Sequence, residues 1–416
     1  MTDAAAMSRV TQVGIPAALL SDPDGFGGET VGDLKCGTLV LRNGRVARLE
    51  VAPNPGRISR IVLPGLVEAH VHLDKCHTVE RCTDVGGDLA AASAAQMRDK
   101  ALWTEEDLRT RAERGLAELI TSGCRVVRTH LDWATGPGQP ERPLAWDILG
   151  EIADAALAQG ITLQRAALTS IDEMADVASA EAVARHVARS GGALGSFVLH
   201  HNNRVEGLRN LFILADRFGL ALDFHVDEGL DPSLDGLELI ADVAAEIGFE
   251  GPVLCGHACS LASRSLEDVA RIGDKLAARG IAVAALPATN LYLQGRRPGT
   301  PDRRGLTRLH ELAARGVEIV IGTDNVRDAF CPVGRHDPVH SLSLAVLVGH
   351  LDPPFGQQLS TITSNARRAL GLPPLTVDGA VASDLICFEV SSLSALIADA
   401  PPPKPLSQFT GVTHAD

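Results

Sequence analysis

The chain has 416 residues, 38 Lys and Arg against 52 Asp and Glu, a net charge of −14, and 45% hydrophobic but only 3% aromatic residues. This balance excludes nucleic-acid binding through a basic face, because neutralising phosphates needs clustered cations. No apolar run reaches the roughly 18 residues of a membrane span, and the length suits one large domain of about 250–300 residues plus a smaller one.

The first residues, MTDAAAMSRVTQVG, show no basic end followed by an apolar core, so no signal peptide is expected. Further on, CGTLVLRNGRVARLE (36–50) reads as a hairpin: two alternating runs joined at Arg-Asn-Gly. From residue 61, eight short apolar runs follow. They are IVLPGLVEAHVHLD, RVVRTHLD, ITLQRAAL, SFVLHH, ALDFHVDE, PVLCGHA, AVAALPA and EIVIGTDN. Most are near-continuously apolar, as parallel strands covered on both faces require. Amphipathic segments lie between them. TEEDLRTRAERGLAELITSG opens on a Thr cap and an acidic first turn and closes on Gly; LAWDILGEIADAALAQG, LEDVARIGDKLAARG and TRLHELAARG also close on Gly. Eight strand–helix units imply an α/β fold, a (β/α)8 TIM barrel over residues 65–372, with chemistry at the C-terminal strand ends. VASDLICFEV (381–390) reads as a further strand. Residues 1–64 and 373–416 are therefore expected to form one small β domain from both chain ends.

Eight cysteines, at 36, 76, 82, 124, 255, 259, 331 and 387, include no CxxC pair and read as reduced thiols of a cytoplasmic protein. Cys255 and Cys259 flank His257 but suit small buried side chains. The polar residues at strand ends are more telling. His70 and His72 end strand one, His225 ends strand five with Glu228 three residues on, His257 ends strand six, and Asp324 ends strand eight. Residues i and i+2 of a strand share a face, so both histidines of HVH can point into the barrel mouth. Three imidazoles and one carboxylate suit one divalent metal, Zn2+ or Fe2+, with a site charge near +1. That charge acidifies a bound water. Glu228 is the candidate proton carrier. His257 could orient the attacking hydroxide, polarise the substrate or ligate the metal. Trp133 and Phe330 near strand ends could stack on a flat ring or simply pack. Asp74 and Lys75 are read as a salt bridge near the mouth, one of His200 and His201 could face the pocket, and HDP at 336–338 carries no assigned role.

These residues together resemble the amidohydrolase superfamily, in its cytosine deaminase branch, across nearly the whole chain. HVHLDKCHT, RVVRTHLD, DFHVDE, NLYLQGR with RRGLTR, and GTDNVRDAFCP carry the resemblance. It implies that His70, His72, His225 and Asp324 hold one metal, that Glu228 shuttles protons, and that His257 assists the hydroxide. Binuclear members use a carboxylated Lys on strand four; SFVLHH offers none. Two departures bear on substrate. Asn325 follows the metal Asp where cytosine deaminase has a second Asp, and Ser170 stands where it has a Gln; Asn325 and the Asp-Lys after HVH look more like N-isopropylammelide amidohydrolase. The retained LQGR makes Gln294 a candidate substrate contact, with Ser170, Asn325 and Phe330. The expected activity is hydrolytic deamination of an amino-substituted pyrimidine- or triazine-like heterocycle other than cytosine. A cyclic amide hydrolase or a non-catalytic small-molecule binder are the alternatives. A small heterocycle is the expected partner, with no nucleic acid or membrane; the resemblance is compatible with a homo-oligomer.

Overall fold

The computed structural model describes residues 7–54, 56–133 and 142–410. The first and last six residues of the expected terminal β unit therefore lie outside the described residues. Eight parallel strands form the barrel: β1 (Leu66–Val71), β2 (Cys124–Asp132), β3 (Thr162–Ser170), β4 (Gly192–Val198), β5 (Ala221–Val226), β6 (Val253–His257), β7 (Ala282–Ala285) and β8 (Ile319–Ile321). Each pairs with the next in chain order. The circle closes not by a ladder but by one bridge just past β8, where the Asp324 amide donates to the carbonyl of His70 at 2.8 Å.

The helices sit outside, as the sequence periodicity predicts. Helix α1 (Glu105–Thr121) begins where Thr104 accepts from the Asp107 amide. The four glycines expected to end helices, Gly123, Gly160, Gly280 and Gly316, all have positive φ, which glycine adopts without a Cβ clash. Strand β5 shows how alternation sorts the layers. Leu222, Phe224 and Val226 pack outward in the main core, with Phe224 stacked on Phe212 of helix α2 (Arg204–Phe218). Asp223 and His225 take the opposite face, into the barrel.

A second sheet holds strands from both chain ends, in the order Lys404–Pro405, Leu385–Phe388, Arg60–Pro64, Met7–Pro16, Leu34–Arg42 and Glu29–Val31, with Arg45–Glu50 also on Leu34–Arg42. The expected hairpin is there, its two-residue turn made by Asn43 (φ 52°) and Gly44 (φ 74°). The run IVLPGLVEAHVHLD, quoted as one strand, holds two: Arg60–Pro64 belongs to the terminal sheet, and Leu66–Val71 belongs to the barrel. Pro64 lacks an N–H to continue a ladder. At Gly65 a Cβ would lie 2.3 Å from Arg125 Cγ, so the crossing between sheets admits no side chain there.

Adjacent barrel strands approach as closely at Gly195 of β4, where a Cβ would meet the Asp223 carbonyl oxygen at 1.9 Å. Gly195→Ala is expected to cost about 3 kcal/mol through forced separation of β4 and β5. A urea melt would read this as a lowered midpoint, and an unchanged midpoint would contradict it.

Candidate metal centre

Ring nitrogens from two strand ends and a carboxylate from a third converge in the barrel mouth. His225 Nε2 lies 3.1 Å from His70 Nε2 and 3.0 Å from His72 Nε2. Asp324 Oδ1 lies 3.3 Å from His72 Nε2 and 3.7 Å from His70 Nε2. All four side chains are buried, and one donor atom from each lies within 4.8 Å of the others. Burial, reinforced by neighbouring imidazoles, pushes His70 and His225 well below the usual imidazole range, and burial lowers His72 too. His72 Nδ1 faces the His130 carbonyl oxygen at 3.2 Å, which places the proton there and leaves the Nε2 lone pair in the cluster. Neither Asp324 oxygen has a hydrogen-bond partner, although both are buried. A buried carboxylate without a partner is costly. A divalent cation among these nitrogens and oxygens would satisfy it, and the donor set fits such an ion.

The surrounding scaffold fixes these groups. Glu68, one residue-pair back from His70 on β1, accepts the amides of His70 (2.9 Å) and Thr323 (3.2 Å), joining β1 to the approach to Asp324. Burial pushes its carboxyl up to about 8. Beneath the histidines lies a charged floor that sequence reasoning did not single out. His130 Nε2 is 2.9 Å from Asp223 Oδ1, and Arg128 donates to Asp223 Oδ2 at 2.9 Å and to Gln164. The His130 ring stands 4.0 Å from that of His70. A signal was available: Arg128 and His130, like Asp223 and His225, are i, i+2 pairs on one strand face.

Glu228 and His257 stand beside the cluster. The His257 ring is 5.0 Å from that of His225, its Nδ1 is 3.0 Å from Asn290 Oδ1, and its Nε2 is buried without a partner. Glu228 Oε1 is 3.6 Å from His257 Nδ1. Burial pushes the Glu228 carboxyl up to about 7. The turn that presents it is held by Asp227 (φ 51°), whose carboxylate accepts the amides of Gly236 and Leu237. Asp324 (φ 60°) and His257 (φ 72°) share that left-handed conformation, uncommon for side-chain-bearing residues and concentrated on this rim.

The remaining expected residues are distributed around the mouth. Gln294 donates to the Glu228 carbonyl at 3.4 Å. The Asn325 amide donates to Asp328 Oδ2 at 2.7 Å. Phe330 is half-buried with Lys75 Nζ 5.4 Å from its ring centre. Ser170 ends β3 on the same rim, half-buried. Lys75 pairs with Asp132 (2.7 Å), not with Asp74, whose carboxylate instead accepts the Asp132 amide. Trp133 is fully buried against Trp146 and serves packing. His200 is exposed and pairs with Asp231, while His201 Nδ1 accepts the Leu199 amide, so neither joins the cluster. The eight cysteines are all unpaired, and none belongs to a metal-competent group among the described residues.

The chain is also similar to known proteins. The family model described as "Amidohydrolase family" matches residues 88–378. Pterin deaminase of Rhizobium rhizogenes (strain K84) is 35% identical over 344 residues, 81% of this chain and 77% of that protein. N-isopropylammelide isopropyl amidohydrolase of Pseudomonas sp. (strain ADP) is 22% identical over 323 residues, 75% of each chain. The crystal structure of 5-methylcytosine deaminase from Klebsiella pneumoniae with 5-fluorocytosine matches 98% of each chain with a TM-score of 0.78 at 24% identity, which is a likeness of fold.

Gly256 on β6 gives His70 its room: a Cβ there would lie 2.7 Å from His70 Cε1. Gly256→Ala is expected to weaken metal binding about 10–100-fold by displacing that ring. Metal titration against a folded, chelator-stripped sample measures it.

Proposed function

Since the chain belongs to the amidohydrolase family and is a hydrolase of C–N bonds other than peptide bonds, we propose that it deaminates an amino-substituted N-heterocycle, with a pterin as the first substrate to test. The observation that carries this is the convergence of His70, His72, His225 and Asp324 on one point, with Glu228 and His257 alongside. On this reading those four residues hold one divalent ion, zinc or iron, which when bound supplies Lewis-acid activation of water.

The chain's own residues do the rest. Glu228, kept near neutrality by burial, accepts a proton from the attacking water and delivers it to the departing amino nitrogen. His257 donates Nδ1–H toward Asn290, so its Nε2 faces the reacting atoms as an acceptor that orients the water. Gln294, tied to the Glu228 backbone, and Phe330, on the β8 side, border the place where a flat ring would lie. Asn325 is committed to Asp328, so its part is to position that loop rather than to supply a free amide. Ser170 offers a hydroxyl at the β3 end, shorter than an amide and suited to a bulkier ring than cytosine. The 35% identity to a pterin deaminase, against 22% to the N-isopropylammelide isopropyl amidohydrolase, supports the bicyclic substrate class.

Ammonia release from metal-loaded enzyme against pterins, aminotriazines, aminopurines and cytosine tests the substrate class. Turnover of a pterin with little of cytosine is expected; ring opening without ammonia would replace deamination by cyclic-amide hydrolysis. Glu228→Gln is expected to lower kcat by at least about 10³-fold with metal content unchanged. Glu228 must be ionised to accept a proton, so kcat/KM should fall as pH drops, with an apparent pKa at or below about 7, since a bound cation favours the ionised form. A flat acid limb down to pH 5 would remove Glu228 from this role.

A further inference from the structure

A second cluster repeats the signature of the first, outside the barrel. We propose that His77, Glu118 and His336 form an additional site for a zinc-class divalent cation, which staples the loop after β1 to the segment after β8. The HDP stretch thereby acquires a role that its sequence did not suggest.

The geometry is that of donors gathered but only partly satisfied: His336 Nδ1 hydrogen-bonds to Glu118, while His77 has no partner. His336 Nδ1 lies 2.8 Å from Glu118 Oε2, and His77 Nε2 lies 3.2 Å from the same oxygen. The His77 contact lacks hydrogen-bond geometry, and both its ring nitrogens are buried without a partner, as is His336 Nε2. The imidazoles have only 4% and 0% of their side chains exposed. The His77 ring, buried beside a carboxylate with neither nitrogen paired, calls for water or an ion. The donor atoms lie within 4.8 Å of one another. Glu118 is one-third exposed, which leaves solvent access for the remaining coordination position. Its other oxygen, Oε1, faces Arg114 (3.2 Å) and Arg327 (3.8 Å), so Oε2 alone is turned to the imidazoles.

The helix is shaped for this cluster. At Gly115 a Cβ would lie 2.9 Å from His336 Cε1 and 3.1 Å from Cys76 Sγ, so α1 leaves a gap that the imidazole fills. Burial keeps both imidazoles neutral, His77 down to about 4, and although burial opposes it, His336 and the other neighbours hold Glu118 ionised, down to about 2. Two neutral imidazoles and one carboxylate match zinc-class ions, and fall short of the six or more oxygens that calcium takes. The two loops already touch through Val326 O accepting the His77 amide and Arg327 O accepting that of Val79. They carry residues that flank the barrel cluster: His77 follows His72 by five positions, and the segment 325–336 follows Asp324. The site is distinct from a binuclear barrel centre, because it lies on α1 and outside the strands.

The test is metal stoichiometry of the full chain after equilibrium dialysis against Zn2+, with Glu118→Gln, His77→Gln and Asp324→Ala beside the wild type. Glu118→Gln and His77→Gln should each bind one equivalent fewer than wild type, and added Zn2+ should raise the Tm of wild type more than of either variant. Should one variant not fold, the other gives the same count. Equal zinc content in both variants and wild type overturns the proposal. Asp324→Ala reports separately on the barrel centre: it should keep the equivalent that Glu118→Gln loses, so failure of one reading leaves the other measurable.

Discussion

A single hydrogen bond at the barrel seam governs much of what this molecule can do. The Asp324 amide reaches back to the His70 carbonyl, and no regular ladder joins β8 to β1. This contact closes the barrel and, in the same act, brings the Asp324 carboxylate to within 3.7 Å of both His70 and His72. Glu68 reinforces it from one side by taking the Thr323 amide across the same seam while also holding the His70 amide of its own strand. Closure of the fold and assembly of the donor set are therefore one event.

Around the seam, the site is built from groups that would be unfavourable anywhere else. Neutral histidines face one another, an ionisable floor of Arg128, Asp223 and His130 lies below, and left-handed side-chain-bearing residues line the rim. Each is sustained by a neighbour: Asp227 by the amides of Gly236 and Leu237, His72 by a backbone carbonyl, Asp223 by a guanidinium. Strain and buried charge of this kind collect where function needs pre-set geometry.

How much of this was legible in the sequence follows from the range of each interaction. Strand count, helix ends and the Asn43–Gly44 turn are set by periodicity and by φ preferences within a few residues, and they could be read directly. The barrel donors were readable because each sits at a strand end and the fold brings strand ends together. The run IVLPGLVEAHVHLD reads as one strand because two apolar strands in succession look like one long run; the packing of Arg125 against Gly65 shows where the chain crosses between sheets. His130 and Asp223 were passed over although both lie in quoted stretches, because their partnership spans 93 positions and three strands. The trio His77, Glu118 and His336 is scattered over more than half the chain on two loops and a helix, with no common spacing to betray it. Lys75 found Asp132 rather than its neighbour Asp74 because both residues lie in the turn after β1, where Asp74 is committed to the Asp132 amide.

The terminal sheet imposes an order on biosynthesis. Its strand Arg60–Pro64 leaves the ribosome early, yet its partner Leu385–Phe388 is translated about 320 residues later. At roughly 5–20 residues per second, that edge waits some tens of seconds with its amides and carbonyls unpaired. It waits, moreover, joined through a single glycine to the first strand of a barrel that cannot yet close. The newly made N-terminal half thus presents an open apolar edge for the whole time that the barrel is being completed, and chaperone holding during that interval would decide how much chain reaches the folded state.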